Sequence, residues 1–309
     1  MSQKATSYTF DCGDGKPITL ETGKLATQAD GSVVVRQGNC MILATVVSNK
    51  EVKDGQDFFP LSVDYQEKFA SAGRIPGGFF KREARLSDYE VLICRLVDRV
   101  LRPLFPEDYL CDTQVMISMI SADQTIQPDS LAALAASAAI TVSDIPFNGP
   151  ISEVRVCKID GKYIVNPTRK EIETATLDII VGASESSIVM MEGEAKECSE
   201  EEMLEAIKVG HEAVKKQVAA QLKLAELFGG KKAWRDYVKP PANEEVKKKI
   251  YDAFQSKVAD VCKSGAPKNE RKVGFNAIKD ELKLMTAEWE SEEDKKLAKK
   301  YYHDLEYET

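Results

Sequence analysis

The sequence predicts an α+β protein in which a large mixed domain is followed by a small all-helical domain. Short β-type runs occur in succession and do not alternate strictly with helices, which favours α+β over α/β. The composition changes at Lys239-Pro240-Pro241, and the chain beyond it has helical patterns without a strand-like run. The 309 residues, 43% of them hydrophobic, suffice for one large and one small domain. We place these predicted domains at residues 1–235 and 236–309.

The first part of the chain contains the clearest strand signals. Two β-branched segments between Ser32 and Ser48 are joined at Gly38-Asn39, residues that tolerate the positive φ of a tight turn, and predict a hairpin. Further strands are predicted near Phe58 to Asp64 and from Gln114 to Ser121, where polarity alternates with a period of two. Four short strands then predict a mixed or antiparallel sheet: Val154 to Ile159, Tyr163 to Val165, Leu177 to Gly182 and Ser187 to Glu192.

Capping residues mark where the helices begin. A serine followed three residues later by a glutamate is the pattern of a capping box, and it occurs at Ser87–Glu90 and at Ser199–Glu202. Asp129 is predicted to cap an alanine-rich helix that packs against a sheet. Asn243 is predicted to cap the first of several charged amphipathic helices that run to about Leu305.

The composition excludes several classes of function. No stretch approaches the ~20 apolar residues that cross a bilayer, and the amino terminus lacks the order of a signal peptide, so we expect a cytoplasmic protein without a membrane partner. The seven cysteines are scattered and contain no C-x-x-C pair, which argues against disulfides and a zinc site. His211 and His303 lie far apart on different predicted helices and offer little for histidine-based catalysis.

Positive charge is concentrated between Arg74 and Arg102. The whole chain has a net charge of −8, whereas this segment holds seven cations and four carboxylates. A local basic patch on an acidic protein indicates a specific polyanion site. Within it, Phe79 and Phe80 follow glycines and precede Lys81 and Arg82.

The phenylalanine pair has two interpretations. Both rings could pack into the core, which is the usual fate of such a pair. Burial would, however, pull the adjacent cations Lys81 and Arg82 toward the core. Exposed rings beside cations form the kind of platform that stacks single-stranded bases, so the sequence favours contact with RNA.

Three arginines, Arg95, Arg99 and Arg102, share one side of the helix that follows Ser87, opposite an apolar arc. The alternative is that Asp98 and nearby acids bind them in surface ion pairs. Because one aspartate cannot neutralise three arginines, the sequence favours an exposed cationic stripe.

The run from Phe58 to Pro106, together with Ser137 to Pro150, closely resembles the amino-terminal part of bacterial polynucleotide phosphorylases. The resemblance covers nearly all of residues 1–235 and, more loosely, the helical remainder. It implies that residues 1–235 form the first of a pair of RNase PH-like cores, with mixed sheets and packed helices, and that the rest is the helical domain that leads to the second core.

The resemblance also implies an activity. Family members are trimers that degrade RNA from its 3′ end with inorganic phosphate as co-substrate, release nucleoside diphosphates with the help of Mg²⁺, and can run the reaction backward. We therefore expect single-stranded RNA as the ligand, a homotrimer for the full-length protein, and partners in an RNA-degradation complex.

Residues of this chain match the RNA-binding positions of the family. A loop matching Phe79, Phe80, Lys81 and Arg82, and extending to Arg85, is expected to narrow the mouth of a central channel and to grip RNA. Arginine is more usual where Lys81 stands, so this position keeps the charge and loses the planar guanidinium fork. Residues that match the arginines of the stripe, Arg95, Arg99 and Arg102, are expected along the RNA path.

The catalytic parts of the family belong to its second core. In this first core the matching phosphate loop reads Gln127-Pro128-Asp129 before the helix at Ser130. Proline removes an amide donor, and a carboxylate repels phosphate at a helix amino terminus. Asp178 stands where a metal-binding aspartate is expected, but Glu171 and Glu173 do not reproduce its partners. We predict a catalytically silent core, without catalytic residues or metal ligands in this chain.

Three hypotheses follow for the role of the chain. In the first, it guides RNA toward a second core that this sequence lacks. In the second, it is a stand-alone, non-catalytic RNA-binding or assembly subunit of an exosome-like ring. In the third, this core is itself active.

Overall fold

The computed structural model describes residues 5–12, 15–53, 56–77, 85–230 and 232–309. The chain divides into two compact units, Met1–Lys239 and Pro240–Thr309. In the described part of the first unit, helices pack on two β-sheets. The described part of the second unit is helical. This architecture confirms the predicted α+β class.

The larger sheet contains six strands. They are β1 (Thr6–Phe10), β2 (Ile18–Thr22), β3 (Gly31–Gln37), β4 (Cys40–Ser48), β5 (Leu61–Glu67) and β6 (Thr113–Ser121). Their order is β1-β2-β3-β4-β6-β5, and only the pair of β5 and β6 is parallel. Strands β3 and β4 form the predicted hairpin, with Gly38 at a φ of 56°. The sequence interpretation omitted β1 and β2.

Two helices pack on this sheet. Helix α1 (Asp88–Leu101) begins where the sequence predicts, with the capping box of Ser87 and Glu90 formed. Helix α2 (Asp129–Thr141) is buried along its whole length and packs on β3, β4 and β6. Its alanines permit this close approach, because their side chains add little bulk between helix and sheet.

The prediction that Asp129 caps α2 is wrong. The N-cap residue is Pro128, which makes no side-chain capping hydrogen bond. The Asp129 carboxylate instead accepts a hydrogen bond from the N–H of Ser130 at 2.7 Å and a second from Arg155. A long-range partner has therefore replaced the local capping role.

The smaller sheet has four antiparallel strands in the order β10-β9-β7-β8. They are β7 (Ser152–Ile159), β8 (Lys162–Val165), β9 (Leu177–Ala183) and β10 (Ile188–Ala195). A short helix, α3 (Arg169–Ile172), connects β8 to β9. The long helix α4 (Glu200–Leu227) begins at the predicted capping box and buries Val214 and Val218 against this sheet.

The first unit extends to Lys239, beyond the predicted boundary at residue 235, because the segment after α4 is bound to it. The Arg235 guanidinium is 9% exposed and contacts Asp30 at 2.8 Å and Asp144. The Tyr237 hydroxyl donates to Asp108 at 2.6 Å. These contacts fix the chain to the first unit as far as Lys239.

The second unit consists, in its described residues, of α5 (Glu244–Lys263), α6 (Lys268–Ala287) and α7 (Glu292–Glu308). Asn243 caps α5 as predicted, accepting from the N–H groups of Glu245 and Val246. Ile250, Phe254 and Tyr302 lie in the core of this unit. Among the described helices of the whole chain, none combines the length and apolar character needed to cross a membrane.

Candidate nucleic-acid interface

Helix α1 borders two cavities of the first unit. The larger has a volume of about 630 Å³ and is bounded by the start of α1, the residues before α2, and α3. The smaller has a volume of about 290 Å³ and lies between α1 and β10. Tyr89, Asp129 and Arg155 line both. The candidate interface is therefore one surface with two adjoining depressions.

Helix α1 is fixed through its apolar side and its first turn. Ile93, Val97, Val100 and Leu101 are buried, whereas Leu92 is 53% exposed. At the amino-terminal end of the helix, one oxygen of the Glu90 carboxylate accepts from the N–H of Glu67 at 2.8 Å, which ties α1 to the end of β5. The arginines of the helix consequently face outward.

The three arginines of the predicted stripe are all exposed, but their surroundings differ. Arg102 makes two hydrogen bonds to Asp98, at 2.6 and 3.0 Å, and two more to the carbonyls of Phe59 and Leu61. Arg99 forms an ion pair with Glu192 of β10. Arg95 has no hydrogen bond or ion pair within the described parts of the chain. The ion-pair alternative thus holds for two arginines of the stripe.

The predicted stacking loop falls largely outside the described residues. Phe79, Phe80, Lys81 and Arg82 lie in the segment 78–84, which the structure does not describe. Arg85 is described and exposed, and it makes no ion pair with another described residue. The assignment of this loop to RNA remains a prediction.

Arg155 of β7 is bound by two carboxylates beneath the cavities. Its Nη2 lies 2.5 Å from Asp129 Oδ2, and its Nη1 lies 2.6 Å from both oxygens of Asp178. The side chain of Asp129 is 3% exposed, and those of Arg155 and Asp178 are each 17% exposed. Burial alone would lower the pKa of Arg155, but the charges and hydrogen bonds of the two aspartates outweigh burial and raise that pKa. The guanidinium is thus held permanently charged.

The place that matches a phosphate loop does not fit an anion. Pro128 has no N–H to donate, and the N–H of Ser130 already donates to Asp129. The N–H groups of Leu131 and Ala132 donate to the carbonyl of Pro128. A buried carboxylate therefore occupies the amino terminus of α2, where a phosphate would otherwise be attracted.

The nearby carboxylates do not fit Mg²⁺ either. Both oxygens of Asp178 accept from Arg155, so the side chain expected to bind a metal already has a cationic partner. Glu171 closes a capping box at Thr168, accepting from the N–H of that residue at 2.7 Å. A protein site for Mg²⁺ needs free carboxylate oxygens, and both oxygens of Asp178 and one oxygen of Glu171 are already engaged.

Sequence reasoning did not single out two charged residues of this region, Glu153 and Arg155. They lie two residues apart in β7, so both side chains face the same side of that strand. Glu153 is 1% exposed, and its Oε1 is buried without a hydrogen-bond partner in the described structure. Burial, followed by the charge of Asp129, raises the pKa of Glu153 to about 8. The signal was available, because Glu153 and Arg155 alternate with the apolar residues Val154 and Val156 in β7.

Comparison with known proteins gives the family. Residues 14–146 match domain 1 of the 3′ exoribonuclease family, and residues 149–213 match domain 2 of the same family. The chain belongs to the 3′ exoribonuclease family. This result confirms the RNase PH-like core that the sequence resemblance implied.

Relatives of this 3′ exoribonuclease family member include several bacterial polyribonucleotide nucleotidyltransferases. The chain is 54% identical to that of Bacteroides fragilis over 97% of its own length, and 56% identical to that of Cytophaga hutchinsonii over 96%. It spans only 42% and 41% of those two proteins. The predicted resemblance to polynucleotide phosphorylases is confirmed, and the chain corresponds to less than half of such a protein.

A solved structure supports the fold. The match is to a chain described as "archaeoglobus fulgidus exosome with RNA bound to the active site", with a TM-score of 0.50 and 15% sequence identity. It covers 69% of the present chain and 86% of the exosome chain. At this low identity the match extends to the fold and no further.

Proposed function

We propose that this chain is the RNA-binding, catalytically silent first core, with its helical domain, of a phosphorolytic 3′-to-5′ exoribonuclease. The complete enzyme would use inorganic phosphate to release nucleoside diphosphates. The observation that carries the proposal is the pairing of Arg155 with both Asp129 and Asp178. Asp178 stands where a metal-binding aspartate would be expected by analogy with the second core, and it is bound to the Arg155 guanidinium.

We attribute the proposed lack of catalysis in this core to the charges of Arg155 and Asp129. A divalent cation would have to displace Arg155 from two carboxylates, and a displaced guanidinium would remain partly buried beside the cation. Inorganic phosphate would meet the Asp129 carboxylate at the amino terminus of α2. We therefore assign phosphate binding and Mg²⁺ to a second core outside this chain.

RNA binding is supported by cations that have no internal partner. Arg74, Arg85, Arg95 and Arg169 are exposed and make no ion pair within the described residues. Exposed cations without an internal partner can bind phosphates, since each contact releases counterions from the nucleic acid. We propose that single-stranded RNA contacts Phe79 to Arg85 and then Arg95, with smaller contributions from Arg99 and Arg102.

The two-core assignment is favoured over a stand-alone ring subunit because the relatives are more than twice as long as this chain. By the same resemblance we propose a homotrimeric, cytoplasmic full-length protein that meets partners in RNA degradation.

The stacking loop provides the test of RNA binding. We expect the double variant Phe79→Ala/Phe80→Ala to weaken binding of a labelled oligoadenylate by ~1–3 kcal/mol per lost stack, measured by fluorescence anisotropy. Phe58→Ala is the matched control, because Phe58 is 64% exposed and lies outside the loop. Equal affinity of the double variant and the control would remove the loop from the RNA path.

A salt titration tests the cationic part of the same loop. Arg82→Glu should reduce the slope of log affinity against log salt, because it removes a phosphate contact. Arg271→Glu makes the same charge change at an exposed position of α6 and should leave the slope unchanged. Identical slopes for the two variants would argue against a role for Arg82.

A further inference from the structure

The proposed function assigns no role to the larger cavity, which has a volume of about 630 Å³. Its volume falls within the ~300–1,000 Å³ typical of small-molecule sites. The ion-paired Asp129 and Arg155 form only part of its lining. The remainder of the wall contains an aromatic ring, aliphatic side chains, amides and two further arginines: Tyr89, Met119, Ile126, Gln124, Gln127, Arg74 and Arg169.

The carboxylates that line this cavity are engaged within the protein. Asp123 accepts from the N–H and hydroxyl of Thr125 at 2.9 and 2.7 Å, and Glu67 accepts from the Tyr65 hydroxyl at 2.7 Å. Asp129 is held by Arg155. These partners reduce the electrostatic repulsion that an entering anion would meet.

Two arginines at the rim of this cavity, Arg74 and Arg169, have no such partners among the described residues. Arg74 and Arg169 line the cavity, are exposed, and have no ion-pair or hydrogen-bond partner for their side chains in the described parts of the chain. Guanidinium groups bind phosphate oxygens through paired hydrogen bonds. The cavity therefore offers two unpaired guanidinium groups for a phosphate.

Tyr89 supplies an unpartnered aromatic face. It lies in the first turn of α1, lines the cavity and is 39% exposed. Within the described residues its ring has no aromatic neighbour and its hydroxyl has no hydrogen bond. The helix beneath it is fixed by the Ser87–Glu90 capping box and by the bond between Glu67 and Glu90, so the ring is carried on a rigid element.

We infer that this cavity binds one nucleotide, with its base against Tyr89 and its phosphate at Arg74 and Arg169. The inference rests on the proposed RNA-binding function where the nucleotide is a unit of a bound strand, and a free nucleotide has the same chemistry. Aromatic stacking serves any base, and Gln124 and Gln127 present amide donors and acceptors to the base edge.

The test compares two ligands on the same protein. ADP is titrated by isothermal calorimetry, and a labelled oligoadenylate is titrated by anisotropy. Tyr89→Ala should weaken at least one of them about tenfold, and Tyr89→Phe should retain the affinity because it keeps the ring. Tyr307→Ala is the matched control, since Tyr307 is 88% exposed and belongs to the second unit.

The arginines are tested in parallel. Arg169→Ala should weaken the same ligand as Tyr89→Ala, whereas Arg271→Ala should have no effect. Thermal unfolding of each variant should match wild type, because the replaced side chains are at least partly exposed.

The two ligands separate the possible results. Loss of ADP binding in the Tyr89 variant supports a site for a free nucleotide, and loss of oligoadenylate binding alone supports a site for one unit of the strand. Unchanged affinity of both ligands in the Tyr89 and Arg169 variants overturns the inference. If the Phe79/Phe80 variant loses RNA at the same time, the proposed function stands without the cavity. If wild-type protein binds ADP through Tyr89 but no RNA, the cavity stands and the RNA-binding function fails.

Discussion

The arginines that line the two cavities differ in exposure and in whether a carboxylate binds them. Arg155, at the base of the cavities, is 17% exposed and shared between two aspartates. Arg74, Arg95 and Arg169, at the rim, are exposed and have no ion pair among the described residues. The same side chain thus stabilises the interior at one position and remains available to a ligand at the others.

Burial explains why the inner and the exposed arginines have different partners. A guanidinium taken out of water needs carboxylates that compensate for lost hydration, and those carboxylates are then unavailable to a metal. An exposed guanidinium keeps its hydration and can exchange it for phosphate contacts. The proposed catalytic silence and the proposed RNA binding would both follow from this difference in burial between Arg155 and the exposed arginines.

Removal of the inner charge should have the largest effect. Arg155→Met keeps the length of the side chain but leaves Asp129 and Asp178 without their cation. We expect the free energy of unfolding to fall by ~3–5 kcal/mol, the usual result of breaking a buried ion pair on one side, measured by urea denaturation.

Arg95→Met is the matched control for that experiment, since Arg95 is exposed and unpaired in the described structure. It should change the free energy of unfolding by no more than ~0.5 kcal/mol. Similar losses of unfolding free energy in the two variants would show that the ion pairs of Arg155 contribute no more stability than an exposed, unpaired arginine does.

A second buried charge, Glu153, gives an effect of intermediate size. Its folded-state pKa of about 8 exceeds the ordinary value of 4.5, because the ionised form is buried without a partner. Below pH 4.5 the protonated group causes no loss, and stability relative to a neutral side chain declines as pH rises from 4.5 to 8. The stability advantage of Glu153→Gln over wild type should therefore grow by roughly 2–4 kcal/mol as the pH rises from 5 to 8.

The measurement is urea denaturation of both proteins across that pH range. Glu173→Gln is the matched control, because it makes the same substitution at an exposed position. A Glu153→Gln difference that did not grow with pH would show that burial does not destabilise the ionised carboxylate of Glu153.

The smallest effects on stability are expected for two exposed arginines of the predicted stripe, Arg102 and Arg95, and the two should differ. Arg102→Ala should lower the free energy of unfolding by ~0.5–1 kcal/mol, since Arg102 pairs with Asp98 at an exposed position. Arg95→Ala should leave stability unchanged while it weakens oligoadenylate binding and reduces the salt slope by about one phosphate contact. The opposite assignment of the two effects would mean that the paired arginine is the one that binds RNA.

Much of the fold could be predicted because its signals are local. The Gly38-Asn39 turn and the capping boxes at Ser87 and Ser199 depend on residues within one turn of each other, and all were found. Strands β1 and β2 were missed because each has five residues and depends on pairing with a neighbour, which period and composition do not reveal.

The site was predicted less completely because its decisive contacts are distant in sequence. Asp129 follows a helix-start pattern, yet its carboxylate binds Arg155, 26 residues later. Arg99 was expected to be free, and its partner Glu192 lies 93 residues away. A net charge counted along a segment cannot anticipate such pairs. The alternation of Glu153 and Arg155 with two valines of β7 could, however, have indicated a buried charged cluster.

One assay tests both parts of the proposal that this core holds RNA but does not cleave it. The chain is incubated with labelled oligoadenylate, inorganic phosphate and Mg²⁺; RNA binding is followed by anisotropy and nucleoside diphosphate by chromatography. We expect saturable binding without ADP release. Release of ADP that disappears in an Asp178→Asn variant would contradict it, because it would show that Asp178 serves catalysis despite its bond to Arg155.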